Sequence, residues 1–260
     1  MNLDDTQKAA QAQFDRQSGR YGKSHVLAET TDLDAAVEGI DLPEYGSALD
    51  IATGGGHTGL WLARRGYVVT LADVSRRMLE NAGKLLGEEG YLCDMRQHPA
   101  EELPYSGRSF SIVTCRVAAH HFSNPVAFVN EAARVLAPGG ILVVIDGTAP
   151  DGCPEAEQWL HRVEKLRDPS HGRLIRPMEW QRLCADAGLK VLRCEVSRLK
   201  QPDLEWYFET ASTSPENRAA VWKLVGEAPE SVRREYGLAE EDGKTIWFWP
   251  RLHLVARKQG

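Results

Sequence analysis

The chain has 260 residues, 42% of them apolar and 26% charged, with a formal net charge of −6. It is long enough to bury a full core, as one large domain or two small ones, and its composition is that of a soluble globular enzyme. The acidic balance argues against nucleic-acid binding, and the longest apolar run near a strand, Ile141 to Ile145, is far too short to cross a bilayer, so no stable membrane insertion is expected.

The N-terminus, Met1-Asn2-Leu3-Asp4-Asp5, is acidic without an apolar core and does not read as a signal peptide. Residues 1–43 read as helical segments packed over the mouth of a sheet. From about residue 47 to 147, apolar runs alternate with amphipathic ones. Strands are expected at 48–52, 67–72, 110–115 and 141–145, with a weaker one at 91–97. Helices are expected at 57–65, 76–87 and 125–137, the last stopped by Pro138-Gly139-Gly140. This alternation implies an α/β fold, doubly wound around a mostly parallel sheet with helices on both faces. Beyond residue 150 come helices at 154–167 and 178–187 and a strand at 189–196. Residues 203–238 read as helical, with a capping box at Thr213-Ser214-Pro215-Glu216. The stretch 245–257 reads as a closing strand that Pro250 bends or demotes to an edge. The five cysteines, Cys93, Cys115, Cys153, Cys184 and Cys194, form no Cys-x-x-Cys pair, which fits reduced thiols in the cytoplasm.

The first strand opens into a glycine turn with Gly54, Gly56 and Gly59 in Gly-x-Gly-x-x-Gly spacing. Such a turn brings backbone N–H groups and a helix N-terminus close to a ligand, because no Cβ obstructs the approach. The spacing alone suits a dinucleotide equally well. Asp50, however, lies inside the strand four residues before Gly54, where dinucleotide folds place an apolar residue. Its carboxylate can accept from loop N–H groups or from a ligand ammonium.

At this point the sequence resembles the class I S-adenosylmethionine-dependent methyltransferases, whose first motif stands here as Asp50, Ala52, Gly54 and Gly56, with alanine in place of the first glycine. The resemblance implies that Ala52, Thr53, Gly54 and Gly56 form the cofactor loop. Asp73, after Val68-Val69-Thr70-Leu71-Ala72, then meets the ribose hydroxyls, with Val74 and Met78 beside it. A carboxylate suits vicinal hydroxyls because it accepts two donors at once; Asp73 can also simply cap the helix starting near Ser75. Ala100-Glu101-Glu102-Leu103-Pro104-Tyr105 resembles the family's adenine-bordering loop, with Pro99 where many members carry aspartate, so recognition falls to groups near Ala100 and Glu101. Arg134-Val135-Leu136-Ala137-Pro138-Gly139-Gly140 resembles the family's signature before the fifth strand. Tyr21 fits an N-terminal tyrosine that closes over the cofactor in related enzymes. These motifs cover about residues 20 to 150. The family implies seven strands, the last antiparallel, in a single domain: 1–43 a helical lid, 44–150 the cofactor-binding core, 151–260 the substrate side.

Arg116-Val117-Ala118-Ala119-His120-His121-Phe122 follows the fourth strand and should flank the reactive methyl group, with Arg116 against the cofactor. With Cys115 in front, it looks like a subgroup near the ubiquinone/menaquinone biosynthesis C-methyltransferases. The loop Glu164–His171 looks characteristic of that subgroup but is missing from the quinone enzymes themselves, so their substrate does not carry over. Histidine can take a proton near neutrality, and His120 or His121 is the candidate base. Adjacent residues diverge, so one should face the site and the other serve the structure; both can also be packing or capping residues. The loop Arg167–Arg173 reads as a solvated surface loop or as a substrate gate, with His171 and Asp168 as a base pair and arginines for an anionic group. Trp206-Tyr207-Phe208 and Trp247-Phe248-Trp249 are core, or line a pocket for a flat acceptor. No Cys/His cluster has metal-ligand spacing. The expected reaction is transfer of a methyl group from S-adenosylmethionine, leaving S-adenosylhomocysteine, to a small quinone-like or phenolic acceptor. An NAD(P)-dependent oxidoreductase and a non-catalytic S-adenosylmethionine-binding module are the alternatives, and a homodimer is left open.

Overall fold

Apolar runs too short for helices and flanked by glycine or charge can be buried only as central strands, and that is how this chain uses them. The computed structural model describes residues 2–21 and 25–260. Three helices, α1 (Asp5–Tyr21), α2 (His25–Ala28) and α3 (Thr31–Val37), precede β1 (Ser47–Ile51). There follow α4 (His57–Arg64), β2 (Val68–Asp73), α5 (Arg76–Glu88), β3 (Cys93–Gln97) and β4 (Phe110–Arg116). A 3-10 turn at Ala119–His121 leads to α6 (Pro125–Val135), β5 (Leu136–Gly147), α7 (Pro154–Arg167) and α8 (Pro177–Asp186). The remainder is β6 (Leu189–Gln201), α9 (Leu204–Ala211), α10 (Pro215–Gly226), α11 (Glu230–Tyr236), β7 (Ala239–Glu241) and β8 (Lys244–Lys258).

The strand order is β3-β2-β1-β4-β5-β8-β6, with the short β7 paired to β8. Strands β1 to β5 run parallel, and β8 inserts antiparallel between β5 and β6. The expected mostly parallel sheet with an antiparallel last strand is therefore present, and β7 is an added arm. Strand order reverses between β1 and β4, which opens a crevice at their carboxyl ends. Side chains alternate along β5: Ile141, Val143 and Ile145 pack with α3, α4 and α5, while Leu142 and Val144 pack with α6 and α8. All five are at most 1% exposed, and burying each contributes roughly 1.5–3 kcal/mol. A third apolar cluster joins α7 and α9–α11 to Trp247 and Trp249.

Three expectations change. Residues 203–238 are three helices: Ser212 turns left-handed at the end of α9 (φ 56°), proline opens α10, and Pro229 precedes α11, which ends at the left-handed Gly237 (φ 58°). Ser214, not the Thr213 that opens the expected capping box, is the N-cap: its hydroxyl accepts from the Asn217 N–H, which puts Asn217 rather than Glu216 at the third helical position. Pro138-Gly139-Gly140 does not separate helix from strand but lies within β5, at an irregularity opposite β4. Pro250 does not make an edge of the closing strand, which is central and continuous. β8 reaches past β5, whose ladder ends at Gly147 opposite Arg251. The Pro250 carbonyl accepts from the Thr148 N–H (3.0 Å), so the side that lacks an N–H faces the end of β5 and the ladder to β6 is left intact. Beyond that point β6 and β8 continue as a two-stranded ribbon from Arg198/Pro250 to Gln201/Trp247.

Gly56 shows how tightly the first turn is built. Its φ is +87°, and a Cβ there would lie 2.7 Å from the Ala82 Cα on α5. The left-handed conformation costs an L-residue about 1–2 kcal/mol, and overpacking adds about 1–3 kcal/mol. Gly56→Ala is therefore expected to destabilise the fold by about 2–5 kcal/mol in urea unfolding; a loss below about 1 kcal/mol would show that α4 and α5 can separate freely.

Candidate functional site

The crevice holds a cavity of about 850 Å³, lined by the β1 turn (Ala52, Thr53, Gly54), the end of β2 (Asp73, Val74), Met78, the 98–101 loop and residues 116–118 after β4. Asp73 is buried at its rim, where one carboxylate oxygen accepts from the Gly54 N–H (3.0 Å) and the other from the Ser75 N–H (2.8 Å). Burial pushes its pKa up to about 6, with the nearby Asp50 and Asp15 charges adding to the shift. Helix α5 is capped not by Asp73 but by Ser75, whose hydroxyl accepts from the Met78 N–H.

Asp50 and Gly56 do not line the cavity. Asp50 is a post beneath the turn: its carboxylate accepts from the hydroxyls of Thr53 (2.6 Å) and Thr114 (2.8 Å), and burial pushes its pKa up to about 6. Ala52, which takes the place of a glycine, adopts φ +53°. Ala100 and Glu101 line the cavity, but the Glu101 carboxylate is engaged by Ser123 and by the Gln7 amide (2.9 Å). Arg116 borders the cavity while its guanidinium points elsewhere. It bonds the Leu27 and Glu29 carbonyls (2.8 and 2.6 Å) and pairs with Asp32 (3.0 Å), so it anchors the N-terminal segment. The Tyr21 side chain lies outside the described residues.

Several lining residues were not foreseen. Gln7, Ala10 and Phe14 of α1 face the cavity, and Gln11 holds α1 to the Val74 carbonyl (2.8 Å). His98 also lines it, bonded to the Tyr105 hydroxyl (2.8 Å) and the Pro99 carbonyl (2.8 Å). The lid expected over the sheet mouth is thus present in α1, but the sequence did not single out which of its residues face the cavity, whereas His98 at a strand end was visible.

A second, more open cavity of about 2140 Å³ adjoins the first, and Leu27, Val117 and His121 line both. Its walls are the β6/β8 ribbon, α9, α1 and the 167–168 corner, with Trp206, Tyr207 and Trp249 on its surface. Phe208 and Trp247 are core instead. Val117, where the cavities meet, sits at φ +54° with its N–H bonded to Ile145. A β-branched residue rarely accepts that conformation, and such strain concentrates at functional sites.

The imidazoles differ from expectation. His120 and His121 do not diverge: the 3-10 turn leaves their rings 4.2 Å apart, tilted 44°. His171 stacks behind them, 5.3 Å from His120, and lines neither cavity. Asp168 does not pair with the His171 ring; its carboxylate accepts from the Ser170 N–H (2.8 Å) and hydroxyl (2.7 Å). The His–carboxylate pair is His120 Nδ1 with Asp146 (2.6 Å), and Asp146 also accepts from the His120 N–H (2.9 Å). Asp146 ends the apolar run of β5 as Asp73 ends that of β2, so the same sequence signal marked it. The 168–173 loop is fastened to this turn, with the Gly172 and Arg173 N–H groups donating to the His120 carbonyl (2.8 and 3.1 Å). A Cβ on Gly172 would meet that oxygen at 2.8 Å. Arg173 turns outward to Glu179.

Burial opposes protonation of all three imidazoles. At His120, Asp146 outweighs burial and the net shift is upward. At His121 burial and the neighbouring His120 push it down to about 3, and His171 is depressed by burial and the same neighbours. His121 and His171 are therefore neutral bases of low affinity for protons, and His120 is the ring that can hold one.

Residues 49–144 match the family model described as "Methyltransferase domain". The uncharacterized methyltransferase YcgJ of Bacillus subtilis is 35% identical over 169 residues, 65% of this chain and 66% of that protein. The uncharacterized protein YafE of Escherichia coli is 34% identical over 148 residues, 57% of this chain and 70% of its own length. The chain belongs to the class I S-adenosylmethionine-dependent methyltransferases. The crystal structure of YcgJ superposes with a TM-score of 0.83 at 26% identity, covering 89% of this chain and 100% of that one. A ubiquinone biosynthesis O-methyltransferase of Chelativorans is 33% identical over 149 residues, 54% of this chain and 57% of its own. These matched stretches thus span between just over half and 70% of the curated relatives. The oxidoreductase alternative gains no support from any of them. Among the described residues of this methyltransferase, no helix is long and apolar enough to cross a membrane.

Removing the Asp146 charge should lower the His120 pKa. Asp146→Asn is expected to move the His120 titration midpoint below that of the wild type in NMR of the imidazoles; an unmoved midpoint would show that Asp146 is not its charge partner. Because folding raises this pKa above 6.5, the pair stabilises the fold fully below pH 6.5 and loses that contribution as pH rises through the folded value.

Proposed function

We propose that the chain binds S-adenosylmethionine in the first cavity and methylates a small molecule held in the second. The meeting of the two cavities at Leu27, Val117 and His121 carries this reading, since transfer needs donor and acceptor in line through one opening. The first cavity's residues fit the donor. The Asp73 carboxylate spends one lone pair of each oxygen on a backbone N–H, leaving acceptor capacity for vicinal hydroxyls. Ala10, Phe14, Val74 and Met78 offer apolar contact for a flat base. Thr53 and Gly54 bring the turn's backbone to the ligand, with Asp50 and Gly56 holding that turn from below.

The sulfonium supplies an electrophilic methyl carbon. The chain's own contribution is alignment and proton removal. His120, its Nδ1 held by Asp146, has Nε2 left to take the acceptor's proton, and Asp146 stabilises the imidazolium that results. His121, neutral and at the junction, borders the transfer path without competing for that proton. His171 and Asp168 support the pair: His171 packs behind the His120 ring, and Asp168 fixes Ser170, whose carbonyl meets His121 Nδ1 (3.1 Å). All five cysteines are free, which supports a reducing, cytoplasmic setting.

Asp73→Ala should weaken binding of S-adenosylhomocysteine by about 1.5–3 kcal/mol, or roughly 10- to 150-fold in Kd. Calorimetry reads this directly, and an unchanged Kd would remove Asp73 from the ribose site. Protonation replaces an acceptor with a donor, so wild-type affinity should also fall as pH drops below about 6. For any acceptor found by a cofactor-dependent mass gain of one methyl group, His120→Ala should lower kcat about 10²- to 10⁴-fold. Full turnover by that variant would exclude His120 as base, and cofactor binding with no turnover on any acceptor would favour a binding module.

A further inference from the structure

The second cavity carries a cation whose countercharge is shared. Among the described residues three arginines line it, Arg167, Arg218 and Arg251, against the carboxylates Asp168 and Glu209. Arg167 is met by Glu164 (3.3 Å) and Arg218 by Glu205 (3.0 Å). Among the described residues Arg251 forms one ion pair, with Asp32 (2.9 Å), and Asp32 is already paired with the buried Arg116 (3.0 Å). Two guanidinium groups thus divide one carboxylate in a buried place, where a lone positive charge is costly. The Arg251 side chain is 8% exposed, and its Nε is buried with no hydrogen-bond partner among the described residues. Burial and the Arg116 charge lower its pKa against the pull of Asp32 and, more weakly, of Asp146.

The surroundings of Arg251 give the missing anion a shape. Its guanidinium carbon lies 5.7 Å from the Trp249 ring centre, and that ring meets His120 edge-on at 6.5 Å. Arg251, Trp249 and His120 follow one another along the cavity wall. The geometry points to a planar, aromatic acceptor bearing a carboxylate or comparable anionic group, its charge on Arg251, its ring along Trp249 and its nucleophilic atom at His120. Arg251 is then a specificity-determining residue: it selects anionic over neutral acceptors and sets which end of the molecule reaches the methyl donor. This assignment rests on the second cavity being the acceptor site.

The test uses the full chain saturated with S-adenosylhomocysteine and an isosteric probe pair, 2-naphthoate and 2-naphthamide, titrated by calorimetry. The wild type should bind the carboxylate about tenfold or more tightly than the amide. Arg251→Met should abolish that preference, and Arg251→Lys should retain part of it. Asp32 keeps Arg116 as a partner in both variants, one-to-one in Arg251→Met, so the fold is not left with a stranded charge. Equal binding of the two probes by the wild type would overturn the proposal, whether or not the variants fold. So would an anion preference that survives Arg251→Met. Loss of S-adenosylhomocysteine affinity in Arg251→Met would instead assign this guanidinium to the donor. Failure of the wild type to bind S-adenosylhomocysteine at all would strike the donor-site reading, and that measurement is independent of the probes.

Discussion

The arrangement of both cavities depends on one buried ion pair. Arg116 leaves the end of β4 and fastens the segment between α2 and α3 through two carbonyls and Asp32. Leu27, which forms part of the wall common to both cavities, is held by this contact. Buried ion pairs contribute little net stability relative to an apolar contact, but breaking one by removing a partner costs about 3–5 kcal/mol. Such a pair suits positioning more than stabilisation. It lets a short N-terminal segment with little apolar surface of its own lie in one place across the sheet.

The same economy governs the imidazoles. Three rings within about 6 Å of one another cannot all be charged, and the carboxylate bonded to the His120 ring favours protonation there over the other two. Asp146 raises the proton affinity of His120; at His121 and His171 burial and the neighbouring imidazoles lower it. The loop that brings His171 there is also the loop that ties down the 3-10 turn, so electrostatics and backbone geometry are fixed together.

The sheet was legible in the sequence because its strands are buried on both faces and interrupted by glycine, a local pattern. Asp73 and the turn after β1 were legible for the same reason: their chemistry sits within about twenty-five residues of continuous chain. What escaped depends on contacts between distant segments. Arg116 reads locally as a cation beside a ligand, and only the position of Asp32, 84 residues earlier, turns it into an anchor. The expected Asp168–His171 pair failed because the loop closes on Ser170, which satisfies the carboxylate first. Asp146 was overlooked although it carries the same mark as Asp73, an acid at the end of an apolar strand. Pro250 misled because the penalty for proline in a sheet depends on whether a neighbour still runs alongside, and β5 has ended there.

The β6/β8 ribbon that runs past the end of β5 separates two inheritances. The first cavity draws its walls from α1 and from residues before 123, whereas most of the second cavity comes from residues 167 to 251. Substitutions along the ribbon and α9 can reshape the second cavity without touching the turn after β1 or the Asp73 rim. With donor and acceptor divided as proposed between the two cavities, a lineage with this architecture can change what it modifies while keeping unaltered the machinery that supplies the modifying group.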